Sequence, residues 1–578
     1  MKKLLKYLRG YVKETILGPL FKLCEATLEL VVPLIIAAII DNGINSPRED
    51  ATGYIVKMCL LLVLMGAVGL AFSITAQYFS AKAAVGFVTR LKGEMFRKTQ
   101  TLSYSDLDRF GTSTMITRMT ADATKVQNGL NLTLRLLLRS PFVVFGAMIM
   151  AFTISIDAAW SFVAVIGALS VVVFGIMLIT MPMYKRVQVG TDGLMQRTRE
   201  NLAGVRVLRA FRKEQEEKER FGEQNGSLSH HQIRVGRISA LMNPLTYVLI
   251  NLAILWLIQI GAVKVNAFGL TQGQVIALYN YMSQILVELI KLANLIISIS
   301  KALASADRIA DVLALESSEH SGERTEGAGS DIAVEFRNVS LSYDGSSEAS
   351  LENVSFAVRR GATVGIIGGT GSGKSTLVNM IPAFYPPTEG EILIDGYPIG
   401  EYNKEYLREH IGMVPQRAVL FRGSIRDNLK MRKSDATDEQ LCAALDIAQG
   451  TEVVRDKGGL DATVESGGRN FSGGQRQRLT IARALVGEPD ILILDDSASA
   501  LDFATDARLR TAIRETQTSS TVFIVSQRAS SIMYADLIIV LDDGHAVGIG
   551  THDELMRDCE VYQEIYHSQF DEEVQHVG

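Results

Sequence analysis

The sequence predicts a multidomain chain: an all-α six-helix transmembrane domain over residues 1–315, a linker over 316–330, and an α/β phosphate-loop domain over 331–578. Three observations predict it. Residues 15–300 carry six runs of about 20 mostly apolar residues, the length that crosses a bilayer as helix. The later half instead has short aliphatic runs, Ile491–Leu494, Thr521–Val525 and Leu537–Leu541, which read as parallel strands buried on both faces. Finally, the run Thr363–Ile367 leads into Gly368-Gly369-Thr370-Gly371-Ser372-Gly373-Lys374-Ser375-Thr376 and then Leu377–Ile381, which is strand, glycine loop, helix.

Composition averages over these two halves: 47% hydrophobic residues and a mean hydropathy of +0.18 suit neither a soluble enzyme nor a pure membrane bundle. The net charge of −5 excludes a dedicated nucleic-acid binder, which carries a basic excess. The 4 cysteines, Cys24, Cys59, Cys442 and Cys559, are scattered without metal-ligand or disulfide spacing, and packing explains them.

Along the chain, Lys2, Lys3, Lys6 and Arg9 precede an apolar segment that runs from about Ile16 to Ile40. That is too long for a signal core and is read as a retained first span. Further spans fall near 54–80, 131–154, 158–182, 240–262 and 271–300. The links between spans two and three and between four and five are long and basic, including Arg90, Lys92, Arg97 and Lys98 in one and Arg206, Arg209, Arg212 and Lys213 in the other. The short links hold little more than Arg48 and Lys264. The positive-inside rule therefore places the long links, both termini and the phosphate-loop domain in the cytoplasm of a multi-pass cell-membrane protein. Val85–Thr101, Ser113–Leu130, Thr191–Asn201 and Val205–Asn225 keep helical spacing, so the spans should project beyond the bilayer. Tyr104–Gly111 and Arg199–Val207 fall near the turns of these projections. Glu25 and Glu29 share one helix face, as do Glu288 and Lys291 in the sixth span; substrate or proton contact and an interhelical ion pair are the competing readings.

Ser317–Ser330 is polar and rich in glycine and serine, as a linker is. After it, Ala333–Tyr343, Val354–Val358 and Glu391–Ile394 alternate like half-buried strands, the last running into an Asp395-Gly396 turn. In the phosphate loop, glycines let successive backbone N–H groups turn inward around an anion, and the helix opening at Lys374 adds its positive end. Lys374 is placed for the β- and γ-phosphates of a nucleoside triphosphate and Ser375 for Mg²⁺. Asp495 closes the strand Ile491–Leu494, at the carboxyl end where such sheets bind ligands, and so joins Ser375 as a Mg²⁺ residue.

Phe471-Ser472-Gly473-Gly474-Gln475 resembles the Leu-Ser-Gly-Gly-Gln signature of ATP-binding cassette (ABC) proteins, with Phe for Leu. The resemblance covers essentially the whole chain and is most specific over residues 333–555. It implies a cassette with an antiparallel β subdomain and a helical subdomain, behind an exporter-type membrane domain. It implies Tyr343 as the aromatic on adenine, Gln416 as the Q-loop residue near nucleotide and metal, Thr463–Gly468 as the X-loop, and Asp502 in the D-loop. Cassettes of this family pair head to tail, so residues 471–475 should serve a partner's ATP.

Two positions depart from the family pattern. Asp496 stands where the family normally has the Glu that polarises water, and Gln527 where it has the switch-loop His. The chain thus resembles the degenerate-site subunit of bacterial heterodimeric multidrug-type exporters. Its expected partner is a second, non-identical half-transporter with Glu and His at these places. A homodimeric exporter that tolerates Asp496 and Gln527 is the alternative within the class, and an ATP-gated channel or regulator the alternative outside it. The cargo is left open among amphipathic small molecules, lipids and peptides.

Overall fold

The computed structural model describes residues 2–45, 50–315, 321–343 and 348–575; Arg48 and the linker residues 316–320 lie outside them. The chain folds as two compact units, Met1–Gln100 with Ser113–Leu315, and Thr101–Thr112 with Glu316–Gly578.

Among its described residues the first unit is helical, without strands. Six described segments are long and apolar enough to cross a membrane: Leu4–Ile44, Ala51–Gln100, Thr112–Ile154, Ile156–Ala203, Glu214–Asn266 and Gln272–Ala314. The second is one unbroken helix of 50 residues. That is about 75 Å at 1.5 Å per residue, more than twice a ~30 Å hydrocarbon layer. The sixth helix packs into the bundle through Tyr281, Met282 and Ile285, all fully buried, against Ala147 of the third span and Leu257 of the fifth. The Tyr281 hydroxyl donates to the Leu30 carbonyl at 2.6 Å, which ties the sixth span to the first.

Two helical expectations are corrected. The run 131–154 is not one helix: Ala123–Leu136 ends at a turn, and Arg139–Ile154 restarts. Pro141 has no N–H for the Leu137 carbonyl, so the ladder breaks there. Likewise Val205–Asn225 is interrupted. Val205–Ala210 is a short helix, Arg212 takes a left-handed φ of 54°, and a new helix opens at Glu214 with Glu216 and Glu217 in its first turn, favourable to its dipole.

Among its described residues the second unit holds twelve strands: β1 (Ile332–Leu341), β2 (Leu351–Arg359), β3 (Thr363–Gly368), β4 (Glu389–Ile394), β5 (Tyr397–Pro398), β6 (Ile411–Val414), β7 (Gly423–Ser424), β8 (Thr463–Val464), β9 (Ile491–Asp495), β10 (Thr521–Val525), β11 (Leu537–Asp542) and β12 (His545–Gly550). The main sheet runs β12-β11-β3-β10-β9-β6 and is parallel except at β12. All five residues of β9 are buried, as its unbroken apolar run requires. An antiparallel sheet, β2-β1-β4-β5, alternates buried and exposed positions. Helices Asp438–Ile447, Thr451–Lys457 and Gly473–Leu485 form the helical part between β6 and β9. The stretch 321–330 is docked along the cassette. Arg324 pairs with Glu401 at 3.1 Å and sits 3.5 Å from the Tyr397 ring centre, and Asp395 accepts the N–H groups of Gly329 and Ser330.

Candidate nucleotide site

The phosphate loop leaves the carboxyl end of β3 and returns as the helix Lys374–Met380. Gly373 sits at φ 94°, and a Cβ there would lie 2.7 Å from the Ser350 carbonyl oxygen. Gly368 packs still closer, since its Cβ would meet the Leu541 oxygen at 2.0 Å. Only glycine fits either place. Residues 369–372 then arch over the Lys374 side chain. Its ammonium donates to the Gly368 carbonyl at 3.0 Å, the Gly369 carbonyl and the Ser372 hydroxyl at 3.2 Å. Lys374 is only 8% exposed, and none of these partners is an anion. Burial accordingly lowers its pKa from the ordinary lysine value, against the raising influence of Asp496 and Asp495. A buried cation ringed by neutral oxygens is a place for phosphate.

The Ser375 hydroxyl donates to Asp495 Oδ1 at 2.9 Å. Burial raises the pKa of Asp495, Asp496 adds to the rise, and Ser375 and Lys374 oppose it. A hydroxyl and a buried carboxylate held together at the mouth of the loop are the donors a hard divalent cation takes, so these residues fit Mg²⁺. The Asp496 N–H donates to the Val525 carbonyl at 3.1 Å, and its backbone is left-handed, φ 45°, a region aspartate tolerates better than most residues. Gln527 follows β10 by two residues and its side chain is exposed. Gln416 is likewise exposed, two residues beyond β6 on the strand's carboxyl side.

Ser472 caps the helix Gly473–Leu485, and its N–H is taken by Gln475 Oε1 at 2.9 Å, a reciprocal capping box. Ser472 and Gly473 are exposed while the Phe471 ring is directed inward, 4% exposed. Of the five signature positions, Phe471, Gln475 and the Ser472 hydroxyl oxygen are therefore engaged in building the turn. Ser472, Gly473 and the amides after them are what the turn presents outward. Arg476 donates to the Phe471 carbonyl at 2.7 Å and the Gly468 carbonyl at 3.3 Å, joining the signature turn to Thr463–Gly468. Asp502 caps the helix Phe503–Thr516 by accepting the Thr505 N–H at 2.9 Å, and this hydrogen bond holds its pKa below the usual carboxylate range.

Tyr343 donates its hydroxyl to Thr376 Oγ1 at 3.1 Å and meets the Tyr385 ring edge-on at 5.1 Å. Tyr385 in turn donates to Asp108 Oδ2 at 2.6 Å, and Tyr104 stacks on Phe384 at 4.3 Å. Burial first, and then Asp108, push the Tyr385 phenol well above its ordinary value. Sequence reading singled out Tyr343 and the 104–111 turn but not Tyr385, which lies in an unremarkable Phe-Tyr-Pro-Pro stretch. A second omission is Gln569, on the helix Glu560–Gln575. Its Nε2 donates to the Gln527 carbonyl and its Oε1 accepts the Ala529 N–H, both at 2.8 Å.

Comparison with known proteins bears on this geometry. Residues 15–289 match the model of the ABC transporter transmembrane region, and residues 351–499 match that of the ABC transporter domain. The chain belongs to the ABC transporter family. It is 34% identical to the uncharacterized ABC transporter ATP-binding protein Rv1273c of Mycobacterium tuberculosis (strain ATCC 25618 / H37Rv), over 98% of this chain and 97% of that one. It is 34% identical to the uncharacterized ABC transporter ATP-binding protein YfiB of Bacillus subtilis (strain 168), over 99% of both. A bacterial Atm1-family ABC exporter with ATP bound has the same fold, with a TM-score of 0.80 at 23% identity, covering 97% of this chain and 98% of that one. As an ABC transporter with one membrane region and one cassette, the chain is a half-transporter, a multi-pass membrane protein and a transport ATPase whose cassette binds ATP.

Proposed function

We propose that this ABC transporter is one half of an ATP-driven heterodimeric exporter, binding MgATP at a degenerate site and lending its signature turn to the partner's hydrolytic site. The observation that carries the reading is Asp496 and Gln527 beside an intact phosphate loop and an intact signature cap. Asp496 is one methylene shorter than the family's Glu, and a misplaced general base forfeits about 10²–10⁴ in rate. Gln527 hydrogen-bonds a γ-phosphate but never becomes a cation.

In this reading Lys374 and the loop amides hold the phosphates, Tyr343 carries the adenine, and Ser375, Asp495 and Gln416 hold the metal. Mg²⁺ held by these residues would supply charge neutralisation at the phosphates. Ser472, Gly473 and the amides after them face the partner's γ-phosphate, a helix N-terminus meeting an anion. The basic long links put the cassette in the cytoplasm. Relatives named a probable multidrug resistance ABC transporter (YheI, 36% identical over 65% of this chain) and a putative multidrug export protein (YgaD, 29% identical), both of Bacillus subtilis (strain 168), favour amphipathic cargo.

The test is turnover by the purified chain alone. ATP is expected to bind, with hydrolysis far below the roughly 1–10³ s⁻¹ typical of enzymes. In the complex with its partner, Ser472→Arg should abolish most ATPase activity, because a bulky cation there blocks the partner's site. A homodimer that hydrolyses ATP at enzymatic rates, unaffected by a second subunit, makes the chain a homodimeric exporter instead.

A further inference from the structure

The sequence marked Glu25, Glu29, Glu288 and Lys291 as ionisable groups inside spans and left their partners open. The structure supplies two it overlooked, Lys22 and Arg139. Lys22 pairs with Glu25 on its own helix and donates to Ser73. Arg139 does more. Its two terminal nitrogens reach Glu29 Oε2 and Glu288 Oε1, each at 2.6 Å. Glu288 also accepts from Ser140 at 2.8 Å and from Lys291 at 2.9 Å. The four charges form one chain of alternating sign across the first, third and sixth spans: Glu29, Arg139, Glu288, Lys291.

The two ends of this chain differ from its middle. The side chains of Arg139 and Glu288 are 8% and 4% exposed, whereas those of Glu29 and Lys291 are 41% and 47% exposed. Both ends open on one cavity of about 350 Å³. Asn280, Ser283 and Gln284 add polar groups to its wall, and Val32, Ile36 and Val143 give it an apolar side. The Gln284 side-chain oxygen is buried with no hydrogen-bond partner among the described residues. Pro33, also on the wall, has no N–H for the carbonyl of Glu29, four residues back, so an acceptor is left there beside the carboxylate.

An ion pair built only to join helices hides all its members, since exposed charge inside a span is costly and faces a wet cavity. Here the inner pair is buried and does the joining, while each end is exposed and keeps hydrogen-bonding capacity to spare. Glu29 commits Oε2 to Arg139 and keeps its other oxygen, and Lys291 commits one of three N–H donors. The cavity thus offers an anion and a cation at separate points, together with polar side chains and an apolar side.

We propose that this cavity is a binding site for a zwitterion with an apolar body: an ammonium group on Glu29 and a carboxylate or phosphate on Lys291. Amino-acid conjugates, short peptides and aminophosphate headgroups all present that pair of charges. The proposal rests on the transport reading only in treating the occupant as cargo. The binding itself needs neither turnover nor the partner's cassette.

The experiment uses the full-length chain in lipid nanodiscs and three fluorescent probes that share one dansyl body. Nε-dansyl-lysine carries both charges, dansylcadaverine lacks the carboxylate, and 6-(dansylamino)hexanoate lacks the amine. The native chain should bind the zwitterion at least about tenfold more tightly than either single-charge probe. Glu29→Gln should erase the advantage over the hexanoate, and Lys291→Gln the advantage over the cadaverine, each leaving the other preference in place. Ranking the probes within each variant separates lost recognition from lost folding, and ATP binding by the same sample reports an intact cassette. A native chain that binds all three probes alike, or dansylcadaverine as tightly as the zwitterion, overturns the proposal. So does a preference that survives both substitutions. To separate free zwitterions from lipid headgroups, the zwitterion is titrated in nanodiscs with and without phosphatidylethanolamine. Competition by that lipid assigns the site to headgroups, and its absence assigns the site to soluble conjugates. None of these outcomes alters the ATPase test of the heterodimer.

Discussion

Burial moves Lys374 and Asp495 in opposite directions, the ammonium below its ordinary value and the carboxyl above. For Asp495 the consequence for stability has a definite sign. A carboxyl raised by folding contributes stability that is complete below the unfolded carboxylate range and is lost as pH rises through the folded value. At neutral pH the ionised Asp495 therefore costs the nucleotide-free protein stability. Asp495→Asn keeps an oxygen for the Ser375 hydroxyl and removes the charge. It should raise the melting temperature of the nucleotide-free cassette by about 2–4 °C, the shift that roughly 1 kcal/mol gives a domain of this size. The same change should remove the Mg²⁺-dependent part of ATP affinity. Thermal scans with and without nucleotide and metal check both halves, and a lower melting temperature without nucleotide would contradict the argument.

At the scale of elements, the segment after β10 is held from outside. Gln569 bonds both the carbonyl of Gln527 and the amide of Ala529, so the helix Glu560–Gln575 fixes the backbone of the loop that carries the switch position. Two hydrogen bonds at about 1 kcal/mol each make local opening of this loop roughly 30-fold less favourable. Gln569→Ala removes both bonds and should speed hydrogen exchange at the Ala529 amide by roughly 30-fold, while amides of β10 keep their protection. Gln569→Glu should restore only the acceptor half. Equal exchange in native and alanine forms would leave Gln569 without a positioning role. Nothing in the sequence near Gln569 marks this contact, because it recognises backbone groups, which every residue has. Legibility followed that line throughout. β9 was readable because burial on both faces demands an unbroken Ile-Leu-Ile-Leu run, and the phosphate loop because glycine alone fits at Gly368 and Gly373. The break before Arg139 was hidden by hydropathy that continues across it, although Pro141 carried the signal. Arg139 itself, one of two arginines in the run 131–154, acquires meaning only when Glu29 and Glu288 converge on it from two other helices.

At the scale of the whole molecule, the proposed asymmetry makes a claim about two residues that a single experiment isolates. Suppose Asp496→Glu and Gln527→His are made together, and the partner's own catalytic Glu is changed to Gln. Only the site on this chain's phosphate loop is then left to turn over. The loop itself needs no repair, since Lys374, Ser375 and Asp495 already stand together. Asp496 also holds its place through its backbone, by an N–H bond to Val525, and at its left-handed φ of 45° a glutamate carries more strain than the aspartate it replaces. ATPase activity should rise above the background of the mutated partner by on the order of 10-fold, short of the full 10²–10⁴ that a well-placed base contributes. The shortfall is expected because, in the proposed heterodimer, this site is completed by the partner's signature turn, which the two substitutions leave unchanged. No rise at all would move the defect from Asp496 and Gln527 to that turn. A high rate before either substitution would mean the site was never degenerate.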